Sequence, residues 1–343
     1  MRGVIRFERV PGVARLADPR AGFEPRAFPV ELRRDPLTGR AVRVGHFGAV
    51  RPVPLDPDAY RRPEVRGHCP FCPEHRGRDL PRFPLDVAPE GWLEAGEAVL
   101  VPNLFPYVAH GAVCVLTRDH VVPLQGLTPG RLAAGLGLGA EYWRRVGRAE
   151  PAYRYPVMGW NYMPPSGGGL VHPHLQFFRF QVPPAALAEA LAVSRARPGA
   201  WAALAQAERE AGERYLGRTG PWEWFVPFAP VGLWGEVWAL APEIPTLEAL
   251  LDRGWDDLLA GLAHLLGRFA ALGIHSFNAA LFVGPEAAEP LPAQLRVVPR
   301  TFLNDRDHAP DLNFFQAVLA EPVCAVWPER LAGELRWYYE SGG

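Results

Sequence analysis

Chemistry in this 343-residue chain concentrates in His172-Pro173-His174-Leu175-Gln176-Phe177, just after the run Gly167, Gly168 and Gly169. The spacing reads as a strand over Val171 to Phe180. Successive strand residues point to opposite faces, so His172, His174 and Gln176 are expected on one face and Val171, Leu175 and Phe177 on the other. Such a polar row on an apolar backing suits phosphate chemistry. An imidazole can attack phosphorus and later depart from it, which splits one difficult transfer into two easier ones through a covalent phosphoramidate. His174 is the better nucleophile, lying between a candidate metal ligand and Gln176, whose amide can donate to a phosphate oxygen as charge develops. Ser166 to Gly169, bare at three positions, lets backbone N–H groups approach a phosphate closely.

A second constellation is Cys69-Pro70-Phe71-Cys72. Two thiolates at this separation reach one Zn²⁺, which accepts sulfur and imidazole together, but they supply only half of a tetrahedron. His68, His75, His110, His120 and His172 are the candidates for the other half. His120 follows the apolar run Val113 to Leu116 and the turn Thr117-Arg118-Asp119, from which a side chain can fold back to a metal, while His75 is the local alternative.

The elements that must position these groups are legible in outline. Ala41 to Val44 and Ala98 to Val101 read as short strands in a proline-rich passage. Thr128 and Pro129 open a helix reaching about Arg148. Strands follow at Tyr155 to Trp160 and at the histidine segment, then a helical tract from Pro183 to about Tyr215, broken near Pro198. A tryptophan-rich strand passage spans Trp222 to Leu240, leucines at helical spacing run from Thr246 to Leu272, and strands return at Asn278 to Val283 and Leu295 to Val298. A terminal helix is expected over Pro328 to Tyr339. Strands, long helix and strands thus occur twice, which suggests two similar halves with a seam near Val182 to Pro198.

Composition narrows the classes. A hydrophobic share of 48% and a charged share of 21% are those of a globular enzyme. The formal charge of −1 argues against a general grip on nucleic acid. Every one of the 36 basic residues is arginine, which fits a GC-rich coding bias better than a functional demand. Neither a signal peptide nor a membrane span is legible at the N-terminus or elsewhere, so a cytoplasmic protein is expected. Four cysteines in a chain of this length do not make a disulfide framework.

His172-Pro173-His174-Leu175-Gln176 resembles the H-P-H-x-Q motif of the galactose-1-phosphate uridylyltransferase branch of the histidine triad superfamily. Arg34-Asp35-Pro36-Leu37-Thr38-Gly39-Arg40, Cys69-Pro70-Phe71-Cys72 and Asn103-Leu104-Phe105-Pro106 resemble further segments of that family in the same order. The resemblance implies an α+β fold of two histidine-triad-like halves, residues 1–190 with the site and a degenerate 191–343, each an antiparallel sheet packed with helices. It implies zinc on Cys69, Cys72, His120 and His172, a nucleophile at His174, phosphate support from Gln176 and the loop Gly167, Gly168 and Gly169, and nucleotide contacts from Arg51, Asn103 and Asn161. The implied activity moves a nucleoside monophosphate from a nucleotide sugar to a sugar 1-phosphate, possible partners being inorganic phosphate as acceptor and a second copy of the chain. Gly169 stands where the family usually has serine. Arg296-Val297-Val298, after Gln294-Leu295, stands in place of a second H-x-H, so no second metal is expected, and Asp311, Ala317 and Val323 replace the residues that recognise a hexose.

Overall fold

The computed structural model describes residues 5–45, 52–304 and 306–340, the last four of these through their backbone alone. Its centre is one ten-stranded antiparallel sheet. In chain order its strands are β4 (Leu93–Ala95), β5 (Ala98–Pro102), β6 (His110–Val115), β7 (Tyr155–Tyr162), β8 (His174–Phe180), β9 (Tyr215–Thr219), β10 (Trp222–Phe225), β11 (Val237–Ala241), β12 (Ser276–Phe282) and β13 (Ala293–Arg300). A smaller sheet holds β1 (Arg9–Asp18), β2 (Glu24–Arg34), β3 (Ala41–Gly45) and β14 (Val323–Cys324). Between β3 and β4 lie the short helices α1 (Pro57–Arg61), α2 (Pro63–Arg66) and α3 (Pro73–Asp79). The longer helices are α4 (Pro129–Ala149), α5 (Ala185–Ala196), α6 (Ala200–Ala211), α7 (Leu247–Arg253) and α8 (Asp256–Ala271), followed by α9 (Phe314–Ala317) and α10 (Pro328–Glu340). Among the described residues no helix is long and apolar enough to cross a membrane.

The large sheet is ordered β4-β5-β6-β8-β7-β12-β13-β11-β10-β9. Read inward from either edge, each set of five strands follows the same connectivity. The sets meet where β7 pairs with β12, Asn161 opposite Asn278 and Gly159 opposite Ala280. Backbone hydrogen bonds therefore run unbroken across the mid-line.

Strand alternation gives the sheet two faces. Met158, Trp160, Leu175, Phe177, Phe277, Leu281, Leu295 and Val297 are buried on one, in the core they share with Leu132, Leu136 and Trp143 of α4 and Leu258, Leu262 and Leu265 of α8. The other face is covered only toward its ends. Over β5 and β6 it carries Phe71 and the Cys69–Cys72 turn, and over β10, β11 and the far ends of β7, β8 and β12 it carries Leu187, Leu191, Trp201 and Leu204 of α5 and α6. The stretch between holds His174 and Gln176 of β8, Asn161 of β7 and Asn278 of β12.

The strand around the histidines begins later than its residues suggest. β8 starts at His174, because Pro173 has no N–H for the ladder and offers only its carbonyl, which accepts from Leu116 N at 3.0 Å. The helical tract after Pro183 ends at Ala211, since Gly212 adopts a left-handed backbone with φ 69° and stops α6, and Tyr215 belongs to β9. The β1–β2 hairpin was not legible as such. It stands largely exposed, with Val10, Val13 and Phe23 each more than half accessible, and its base is held by Arg33, whose guanidinium binds Glu329 at 2.8 Å and stacks over Phe228 at 4.6 Å.

Helix α4 approaches β8 so closely that a Cβ on Gly139 would lie 1.9 Å from the Phe177 ring. Phe177 is fully buried, so Gly139→Ala forces either the helix or the strand to move. We expect it to destabilise the fold by about 1–3 kcal/mol, read as a lowered denaturation midpoint; an unchanged midpoint would show that the helix does not seat against the strand.

Candidate active site and metal centre

The turn before α3 brings two cysteines together. Cys72 N bonds Cys69 O at 3.3 Å and the chain enters α3 at Pro73, with Cys72 at the N-cap position and its thiol left for the cluster. Beyond β6, Thr117 Oγ accepts from Asp119 N at 3.0 Å, and that tight turn returns His120 toward the cysteines. His172 arrives from the segment entering β8. Its Nε2 donates to the carbonyl of Thr117 at 2.8 Å, so the Nδ1 lone pair is the one facing the sulfurs.

The candidate ligand atoms of Cys69, Cys72, His120 and His172 all lie within 4.8 Å of one another, and all four residues are buried. Nδ1 of His172 is 3.7 Å from Cys69 Sγ and 3.8 Å from Cys72 Sγ, and Nδ1 of His120 is 3.4 Å from Cys72 Sγ. A tetrahedral zinc with ordinary bond lengths puts its ligands roughly 3.3–3.8 Å apart. The donor set therefore fits a divalent metal of borderline softness. Burial pushes the Cys72 thiol up to about 12, with Cys69 beside it adding to the shift, and pushes the His172 imidazole down to about 4. Bare, the cluster favours neutral groups; a cation bound there converts the thiols to thiolates. The local alternative ligand is turned aside, since His75 Nδ1 bonds the Cys69 carbonyl at 2.7 Å, and His110 pairs with Glu150 instead.

Only two of the three residues expected in a polar row share the strand. His172 precedes β8 and its ring is fully buried at the cysteine cluster, while His174 and Gln176 stand on the partly open face. The proline break explains the divergence. His174 is 9% exposed, and its ring lies edge-on to Phe71 at 5.2 Å. Nδ1 of His174 sits 2.8 Å from the carbonyl oxygen of His172. A carbonyl only accepts, so Nδ1 carries the proton and Nε2 keeps its lone pair. Burial also holds this imidazole below its usual range, against the opposing effect of that carbonyl, and so favours the neutral ring.

The glycine loop lies across from Asn161. Gly167 adopts a left-handed backbone with φ 81°, a conformation that glycine enters without strain. A Cβ on Gly168 would sit 3.4 Å from Asn161 O, whereas one on Gly169 would meet open space. Ser166 spends its hydroxyl hydrogen on Met163 O at 2.7 Å. Asn161 is held by Asn278, which donates to its Oδ1 at 2.6 Å. Asn103 lies apart from this group, beside Gly111 and level with Phe178, four residues along β8 from His174. Its Oδ1 accepts from Phe105 N at 3.1 Å. Arg51 falls outside the described residues.

Sequence reasoning passed over Asn278 and Arg300, which join the site from the second set of strands. The available signal was a lone carboxamide within Phe277-Asn278-Ala279-Ala280-Leu281, a polar group that such a strand does not need for packing.

No protein-family model matches the chain. A protein of Archaeoglobus fulgidus described only as uncharacterized is 30% identical over 314 residues, covering 90% of this chain and 92% of its own. Among solved structures, an ADP-glucose phosphorylase from Arabidopsis thaliana with bound ADP-glucose superposes with a TM-score of 0.66 at 18% identity, over 90% of this chain and 98% of that one. A galt-like protein from Arabidopsis thaliana gives 0.65 at 18% identity, and a uridylyltransferase gives 0.62 at 20%, each with the same two coverages. At these identities the likeness is one of fold.

Stripping metal from the purified protein is expected to lower its melting temperature by several degrees, and added zinc to restore it. Cys72→Ala and His120→Ala are expected to abolish the response, as measured by calorimetry beside the metal content of each sample. A melting temperature indifferent to zinc in the wild-type chain would leave the cluster as four packed side chains.

Proposed function

We propose that this chain, which belongs to one family with the Archaeoglobus fulgidus protein and has the fold of the galactose-1-phosphate uridylyltransferase branch of the histidine triad superfamily, transfers a nucleoside monophosphate from a nucleotide sugar to a sugar 1-phosphate through His174. The observation that carries the reading is the hydrogen bond from His174 Nδ1 to the His172 carbonyl, which leaves Nε2 as a base and nucleophile beside Gln176, Asn161 and the glycine loop. In the first step the Nε2 lone pair forms an N–P bond to the α-phosphorus, and the P–O bond to the departing sugar phosphate breaks with its electron pair. Nδ1 keeps its proton, so the positive charge gained by the ring faces a carbonyl oxygen. In the second step an oxygen of the acceptor phosphate attacks, and the N–P electron pair returns to Nε2.

Gln176 and the amides of Gly167 to Gly169 would donate to the phosphate oxygens as charge moves between them, Asn161 would meet the same group, and Asn103 would meet the nucleoside. Cys69, Cys72, His120 and His172 would hold zinc, which when bound supplies a structural cross-link and no reacting ligand. In this reading residues 1–190 carry the reaction and residues 191–343 complete the sheet and its cover.

A second reading, with inorganic phosphate as acceptor, is favoured by Asp311. That residue replaces part of the family's hexose recognition, and its carboxylate is spent on Arg300 at 2.8 Å and on Thr301 N at 3.1 Å, so it is not free for a sugar hydroxyl.

Incubation with α-phosphate-labelled ADP-glucose or UDP-glucose, followed by alkaline denaturation, is expected to leave acid-labile label on the wild type and none on His174→Ala. Gln176→Ala is expected to slow labelling by about 10²–10³-fold, the usual effect of losing one donor to a developing oxyanion. Chasing the label with glucose 1-phosphate or with phosphate separates the two acceptors. Label persisting on His174→Ala would end the assignment, and nucleotide binding without label would make the chain a zinc-stabilised binding protein.

A further inference from the structure

The strand at the mid-line carries a chain of side chains that the transfer chemistry has not used. Asp311, 3% exposed, takes Arg300 Nε at 2.8 Å and is fixed from behind by Thr301 N. Arg300 in turn reaches Asn278 Oδ1 with Nη1. Asn278 then donates one amide hydrogen to Asn161 Oδ1 at 2.6 Å and the other to the Ser166 carbonyl at 2.9 Å. Four residues from β7, β12, β13 and the loop after it thus form one line ending at the glycine loop.

The direction of every bond in that line is forced. A guanidinium has donors only, so the atom of Asn278 that meets Arg300 must be its oxygen. Turning Asn278 over would set its NH₂ against a guanidinium and its oxygen against the Ser166 carbonyl, two repulsions in place of two bonds. With Asn278 fixed, Asn161 must offer its oxygen to the Asn278 amide, and its own NH₂ is the group left over. Asn161 Nδ2 has no hydrogen bond to any described residue, and the side chain is only half-buried. By itself an asparagine can show a ligand either end; this one can show only donors.

We propose that Arg300 is a positioning residue that, through Asn278, locks the carboxamide of Asn161 so that its NH₂ faces the ligand and selects an anionic or carbonyl oxygen there. The role rests on the reading that the groove beside His174 takes nucleotides. It places part of the selectivity of a site in the first strand set under a cation from the second set. The ion pair with Asp311 keeps Arg300 aimed, which gives the buried pair a purpose apart from stability.

The test is a double-mutant cycle. Arg300→Met combined with Asp311→Asn removes the donor without leaving a buried charge alone, and Asn161→Ala removes the proposed end of the line. The KM for label formation from ADP-glucose or UDP-glucose is expected to rise about tenfold in the first variant with kcat changed little, and not to rise further when Asn161→Ala is already present. Arg300→Lys, which retains a donor, is expected to recover much of the loss. In ¹⁵N spectra of the unliganded protein, the side-chain amide pair of Asn161 is expected to shift and broaden when Arg300 is replaced. Equal costs in both backgrounds, or an unmoved Asn161 amide, would overturn the proposal. Because the spectrum needs no substrate, a wild type that never takes label would defeat the transfer reading alone.

Discussion

The hydrogen bond between His174 Nδ1 and the carbonyl of His172, 2.8 Å long, settles which ring nitrogen keeps its lone pair, and much of the surrounding architecture bears on it. The carbonyl is in place because the His172 side chain is anchored, by its own Nε2 to Thr117 O and by its Nδ1 toward the two sulfurs. Pro173 between the two histidines adds a restraint, since it cannot join the ladder and its carbonyl is taken by Leu116. The cysteine turn, the turn after β6 and the entry to β8 are distant in sequence, yet they converge on one imidazole. A metal at that convergence would tie all three together without touching the His174 ring.

The histidine segment and the cysteine pair with its histidine partners could be read from residue types and spacing, because the demand is local: a strand of alternating polar and apolar residues, a C-x2-C pair, a glycine loop. Helix α4 and the leucine-rich tract were legible for the same reason, as their apolar periodicity and the proline at the start of α4 act within a few turns. Three things were not. The position of His172 depends on a break at Pro173 that alternation cannot register. The β1–β2 hairpin has little burial to imprint a pattern, with Val10 and Val13 facing solvent beside Arg9 and Arg15. The part played by Asn278 and Arg300 depends on which strands become neighbours, a long-range fact that a single chain does not write next to the residues concerned.

The second strand set repeats the layout with different side chains. On β13, the strand in the place that β8 holds in the first set, the half-buried Arg296 lies over the rings of Trp238 and Phe282, 4.1 and 5.0 Å from their centroids. Its Nη2 is tied to Gln294 at 2.9 Å. Nearby Glu236 is fully enclosed, where burial raises its carboxyl, and it accepts from Trp238 Nε1 at 2.6 Å. Aromatic packing around these hydrogen-bonded groups fills the volume there, while in the first set the corresponding face stays partly open around a histidine and a glutamine.

The unbroken ladder across β7 and β12 has a mechanical corollary. A floor stitched on both sides by main-chain bonds has no seam along which to flex, so it cannot widen for a bulkier guest or clamp down on a smaller one. Differences in shape between this groove and that of a relative would then be cut into the two banks above that floor, the cysteine-bound lobe on one side and the paired helices on the other, while the floor itself contributes the fixed asparagine line.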